Sequence, residues 1–151
     1  MSSDTPHLSI VLPCYNEEGN LHALVAAIRE GVQPLGISYE IIITDDCSRD
    51  NSWEILKQLA AEDPRIRVQR FERNCGQSAA MWAGLKAARG RFLMTLDADL
   101  QNDPREIPKF IAALEKFDCV CGSRVESRRQ GDNRIRIASS RIANGVRNWL
   151  S

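Results

Sequence analysis

Asp97 and Asp99 flank Ala98 directly after the run Phe92-Leu93-Met94-Thr95-Leu96. Carboxylates that close together repel each other, and a hard divalent cation between them removes the repulsion. Mg²⁺ or Mn²⁺ is the natural guest, because either bridges carboxylates to diphosphate oxygens. Gln101 offers a neutral oxygen two residues further on. Taken by itself, an Asp-x-Asp triplet is more often a solvated turn leading to a helix cap. Its place behind a buried strand is what favours a metal.

A second acidic pair, Asp45-Asp46, follows Glu40-Ile41-Ile42-Ile43-Thr44. Asp and Ser are ordinary turn and cap residues, so a structural role is open. The other reading is that one carboxylate accepts hydrogen bonds from a nucleobase or ribose. After the first apolar run stand Pro13, Tyr15 and Glu17, not a Gly-x-Gly-x-x-Gly turn. This disfavours a dinucleotide-dependent oxidoreductase. Tyr15 either offers a stacking face to a base or packs on the sheet edge. Arg124, in Gly122-Ser123-Arg124, and Arg136 carry guanidinium forks that match phosphate oxygens. Arg128, Arg129 and Arg147 read as a solvated helix face. His7 and His22 lie outside these segments, and Ser78 and Ser123 read as cap and turn residues, so a hydrolytic triad is not indicated.

These residues need a scaffold that brings strand ends together. Leu8-Ser9-Ile10-Val11-Leu12 predicts a buried strand halted by Pro13. Leu21, Leu24, Val25, Ile28 and Val32 recur at helical spacing, predicting a helix from about Glu17 to Gly31. Further strands are expected at Glu40–Thr44, Ile66–Phe71 and Phe92–Leu96, and a short fifth at Cys119-Val120-Cys121. Helices are expected around Trp53, Leu56 and Leu59, capped by Asp50, Asn51 or Ser52, and around Ala79, Ala83 and Leu85, stopping near Gly90. Asp103-Pro104-Arg105-Glu106 is a helix start, with Asp as cap, Pro at the first position and Glu able to close a capping box. Ile107, Phe110, Ile111 and Leu114 form its buried stripe, and residues from Ile135 to Trp149 predict a terminal amphipathic helix. Alternating strands and helices predict an α/β fold with a mostly parallel sheet and helices on both faces. Such sheets bind ligands at the carboxyl ends of their strands, where all three polar segments fall.

The 151 residues are enough for one α/β domain and too few for two. Formal net charge is zero, so no overall field points to nucleic acid. Arg124 to Arg147 holds seven Arg against Glu126 and Asp132, however, which suggests a local anionic partner. The five cysteines include no Cys-x-x-Cys pair and are expected as small hydrophobes in a reducing compartment, with Cys119 and Cys121 buried. No signal peptide precedes Leu8, and no run approaches the roughly 20 apolar residues of a membrane span. A cytoplasmic domain is expected, and it can still sit against a membrane through another part.

Together, Leu12-Pro13-Cys14-Tyr15-Asn16-Glu17-Glu18, Tyr39 to Ser48, Arg73-Asn74-Cys75-Gly76-Gln77, Leu96-Asp97-Ala98-Asp99-Leu100-Gln101 and Gly122-Ser123-Arg124 resemble glycosyltransferase family 2. Within it they are most similar to the dolichyl- and undecaprenyl-phosphate sugar transferases. The resemblance covers Leu8 to about Asn144 and rests on five motifs in order. It implies a GT-A fold, Rossmann-like, inverting chemistry and a divalent metal, Mg²⁺ or Mn²⁺. It implies that Pro13, Tyr15, Glu17, Asp46, Gln77 and Ala98 bind the nucleotide sugar, a UDP- or GDP-linked donor. Asp97, Asp99 and Gln101 would hold the metal, and Asp97, Asp99 and Arg124 would be catalytic. Arg124 and Arg136 would contact phosphates, Arg136 because Ser140 follows at the family's interval.

The resemblance implies a polyprenyl phosphate acceptor and a place at the cytoplasmic face of a membrane. Cys47 departs from the family's usual small residue, often Gly. The family also continues past the equivalent of Ser151 into a part that shapes the acceptor site, so the 151 residues are expected to be one catalytic domain truncated on that side. A sugar or protein hydroxyl acceptor is an alternative, as is a nucleotide-binding module without turnover.

Overall fold

The structure, a computed structural model, describes residues 5–122. It divides into two units, Met1–Glu115 and Lys116–Ser151. The first unit holds four parallel strands, β1 (Leu8–Cys14), β2 (Tyr39–Asp45), β3 (Ile66–Arg70) and β4 (Phe92–Thr95), in the order β3-β2-β1-β4. Its α-helices are α1 (Leu21–Val32), α2 (Ser52–Glu62), α3 (Gln77–Ala87) and α4 (Ile107–Leu114). A 3₁₀ turn, Pro104–Glu106, precedes α4, and the Asp103 side chain accepts the Arg105 N–H there, so the expected cap is present.

Strand order decides where each helix lies. The connections β1–β2 and β2–β3 run one way along the sheet, and right-handed crossovers put α1 and α2 on the same face. The connection β3–β4 returns past β2 and β1, which sends α3 to the opposite face. Burial agrees with this. Leu8, Ile10, Leu12, Ile41 and Ile43 form one core with Leu21, Leu24 and Ile28 of α1, Leu56 of α2 and Ile107 of α4. Val11 and Thr44 face α3, where Gly84 lies so close that a Cβ would strike the Val11 side chain and crowd that of Thr44. The helices therefore cover both faces, as expected for an α/β sheet.

β1 does not stop at Pro13, as expected, but continues to Cys14. The carbonyls of odd-numbered residues along this stretch face β4: His7 O, just before β1, accepts Phe92 N–H, and Val11 O accepts Leu96 N–H. Pairing with β4 ends at Val11, so the missing N–H of Pro13 removes no ladder bond. On the other side the ladder persists, with Pro13 opposite Thr44 and Cys14 opposite Asp45.

α3 is fastened firmly at the end remote from the polar loops. Glu40, buried in β2, accepts hydrogen bonds from Ser9 Oγ (2.7 Å), Arg67 (2.9 Å) and the Arg89 N–H (2.7 Å). Arg67 also donates to Ala87 O, and Gly90 N–H to Ser9 Oγ. Burial pushes the Glu40 carboxyl up, but these donors outweigh it and hold the group below its ordinary value.

In the second unit, residues 116–122 are described, and two expectations fail there. Cys119-Val120-Cys121 forms no strand, and Cys119 and Cys121 are exposed. Three apolar residues are shorter than the usual strand of about five or six, too few to hold a ladder on their own pattern. The predicted terminal helix, Arg124 and Arg136 lie outside the described residues.

Candidate functional site

At the carboxyl ends of β1, β2 and β4 lies a cleft of about 530 Å³. It sits at the switch point of the strand order, where β1 leads to β2 on one side and neighbours β4 on the other. Pro13, Tyr15, Glu17, Asp46, Gln77, Asp97, Ala98 and Asp99 all line it. These are segments remote in sequence, and the sheet alone brings them together. Cys14, Asn74 and Gly76 also line it, and none of these was expected as a site residue. The signal for Asn74 and Gly76 is their motif, Arg73 to Gln77, of which the resemblance assigns Gln77 to the site. Gln101 is exposed beside the cleft segment, and its N–H donates to Asp99 Oδ1 at 3.1 Å.

The segment Tyr15 to Asn20, from which Tyr15 and Glu17 line the cleft, is held by side chains of the loop after β2. Asn16 N–H donates to Ser48 Oγ (2.9 Å), Glu17 N–H to Ser52 Oγ (2.8 Å) and Glu18 N–H to Asp50 Oδ2 (3.1 Å). In return Asn16 Oδ1 accepts Arg49 N–H and Glu18 Oε2 accepts Asn51 N–H, both at 2.8 Å. These bonds explain why α1 begins at Leu21 and not at Glu17: the backbone donors there are satisfied across the cleft wall. Tyr15 is 40% exposed, so its ring is open to the cleft and not packed away on the sheet. Glu17 stays in place through Asn20 Nδ2, 2.7 Å from Oε2.

The two adjacent aspartates divide their roles by the direction they face. Asp45 is buried among the helices, bonded to Ser48 and to Arg70 at 3.1 Å. It takes the turn-and-cap role. Asp46 is only 3% exposed yet lines the cleft. Its two oxygens accept the N–H groups of Cys75 (2.6 Å) and Gly76 (2.8 Å), and Asn74 Nδ2 donates to its carbonyl. Asp46 thus clamps the loop after β3 against the end of β2. Gly76 has φ 93, a conformation a side chain resists, and is the N-cap of α3.

On the far wall, Asp97 Oδ1 accepts Gln77 Nε2 at 2.9 Å. Ala98 is buried, turning the two carboxylates toward the same cleft. Asn16, Cys47 and Leu100 are the non-glycine residues with positive φ among those described, and each stands in a loop at this end of the sheet. Such strain clusters where surrounding contacts fix a binding surface. Cys14, at the cleft floor, is pushed up to about 12, first by burial and then by Asp45, so its thiol stays protonated and is no nucleophile.

The family model described as glycosyl transferase family 2 matches residues 9–148. The chain is 39% identical over 145 residues to an undecaprenyl-phosphate 4-deoxy-4-formamido-L-arabinose transferase of Aeromonas hydrophila, covering 95% of this chain and 44% of that one. It is 44% identical over 140 residues to the transferase of the same name from Pseudomonas fluorescens, covering 91% and 40%. It spans less than half the length of these relatives. Among solved structures, S. aureus TarS 1-349 matches at a TM-score of 0.59 and 27% identity, over 70% of this chain and 31% of that one. A parallel sheet flanked on both faces, a cleft at its switch point and a family match over nearly all its residues agree: the chain belongs to glycosyl transferase family 2.

Proposed function

We propose that the chain carries the donor site of an inverting transferase that moves a sugar from a nucleoside diphosphate to a polyprenyl phosphate. The observation that carries this reading is the single cleft in which Tyr15, Glu17 and Asp46 on one wall face Asp97 and Asp99 on the other. Tyr15 offers the base a stacking face, while Pro13 and Ala98 supply apolar floor. Asp46 holds the loop that completes the nucleoside wall. Arg124 and Arg136 are the phosphate-contacting residues in this reading.

The donor set suits Mg²⁺ or Mn²⁺. Asp97 and Asp99 are hard oxygen donors, and Gln101 is a third. Among the described residues no group of three or more Asp, Glu, His or Cys side chains is placed to hold a metal ion, so Asp97 and Asp99 would act as a pair. Mg²⁺ is commonly held this way, by one or two carboxylates with water and substrate phosphates completing its shell. A dication bound there would neutralise charge on the departing diphosphate. The acceptor needs little help from the protein. A phosphomonoester with a second pKa of about 6 is largely ionised near neutrality, so no general base is required. Among the described residues that line the cleft there is no histidine, which fits this. Among the described residues no helix is long and apolar enough to cross a membrane. The lipid acceptor places the reaction at a membrane surface, on the cytoplasmic side in this reading.

A thermal-shift panel of UDP- and GDP-linked sugars, with and without Mn²⁺, tests the donor site. One base is expected to raise the melting midpoint, and Mn²⁺ to enlarge the rise. At ligand 100-fold above Kd the stabilisation is about 2.7 kcal/mol. No shift with any donor would remove the donor-site reading. Radiolabelled transfer to polyprenyl phosphate, compared with transfer to sugar acceptors, then separates the acceptor classes. Stabilisation without transfer or donor hydrolysis would leave a binding module.

A further inference from the structure

Gln77 is expected among the groups that contact the donor and lines the cleft, and its side-chain amide is turned to a neighbour there. Its Nε2 lies 2.9 Å from Asp97 Oδ1. A carboxylate only accepts, so the amide must present its N–H₂ and not its oxygen. Gln77 is also the first residue of α3, directly after Gly76, whose N–H is held by Asp46 Oδ2 at 2.8 Å. A continuous path of hydrogen bonds and backbone therefore runs from the end of β2 to the end of β4: Asp46, Gly76, Gln77, Asp97. The other end of α3 is fixed by the Glu40 cluster, so the helix delivers Gln77 to one place.

We propose that Gln77 is a positioning residue, whose side-chain amide fixes the orientation of the Asp97 carboxylate at the cleft so that it is set for a divalent cation. This rests on the donor-site reading above and deepens it. A neutral donor suits the task. It orders the carboxylate while leaving its negative charge, whereas a Lys or Arg at this position would compete with the cation. Partners that orient a ligating carboxylate from behind typically change metal affinity by roughly 10- to 100-fold when removed.

The test uses the full chain and Gln77→Met, which keeps the side chain's length and removes its N–H donors. Gln77 is exposed, so the variant should fold, and a melting curve checks this. Three-bond couplings of Asp97, measured without metal, are expected to show one dominant side-chain rotamer in the parent and averaging in Gln77→Met. Mn²⁺ affinity, read by electron paramagnetic resonance with UDP or GDP present, is expected to fall roughly tenfold. Metal-free affinity for the same nucleotide should not change. An unaltered Asp97 rotamer, or unaltered Mn²⁺ affinity, would overturn the proposal. An equal loss of metal-free nucleotide affinity would also overturn it, by making Gln77 a direct donor contact. If the parent chain binds neither nucleotide with Mn²⁺, the donor-site reading itself fails and takes the proposal with it, while the Asp97 couplings still show whether Gln77 orders that side chain.

Discussion

Asp99→Ala is expected to reduce sugar transfer by on the order of 10²–10³-fold, the range seen when one group aimed at developing charge is removed. The fold should barely notice. Asp99 stands in the loop after β4, half-buried, and accepts an exposed hydrogen bond from Gln101 N–H at 3.1 Å. Such a bond contributes about 1 kcal/mol or less. Initial rates of radiolabelled transfer, with the melting midpoint as control, check both halves. Equal rates in parent and variant would show that this carboxylate holds no ion that the reaction needs. Asp97→Ala should lose transfer comparably but differs in one respect, because it also leaves Gln77 without its acceptor.

Asp46→Asn should produce the largest loss of stability of any single change in the cleft wall. Asp46 is 3% exposed and accepts two backbone N–H groups. Its amide counterpart turns one acceptor into a donor and sets N–H against N–H. A buried donor left unmet costs about 1–3 kcal/mol, and the surviving bond loses its charge assistance, so a total of roughly 2–4 kcal/mol is expected. Urea unfolding would show a lower midpoint with an unchanged slope. Nucleotide affinity should fall as well, because the Cys75-Gly76 loop is released from the wall it builds. A stability change below about 0.5 kcal/mol would mean that the loop is held by something other than this carboxylate.

The strands at Leu8 and Glu40 were legible because they are buried on both faces and read as continuous apolar runs. The helix at Leu21 was legible from its stripe, but its start was not. The donors of Asn16, Glu17 and Glu18 are satisfied by Ser48, Ser52 and Asp50, and nothing local announces partners more than thirty residues away. Asp45 and Asp46 posed the same difficulty. They are chemically identical neighbours, and only the sheet decides that one turns to Arg70 and the other to the loop after β3. Gln77 was picked out by its motif, whereas its bond to Asp97 depends on α3 being pinned at both ends. The run Cys119-Val120-Cys121 had the alternation of a strand without the length, and its cysteines are exposed. What a sequence shows best is thus the scaffold and the set of site residues. Which of them contact a ligand and which hold the others depends on packing across the sheet.

Anomalous diffraction at the manganese edge, from crystals grown with Mn²⁺ and the nucleoside diphosphate that stabilises the chain, addresses the site directly. A peak is expected within about 2.0–2.3 Å of Asp97 and Asp99 oxygens, bridging to the diphosphate, with the base against Tyr15. Manganese bound elsewhere, or a nucleotide seated away from both carboxylates, would contradict it.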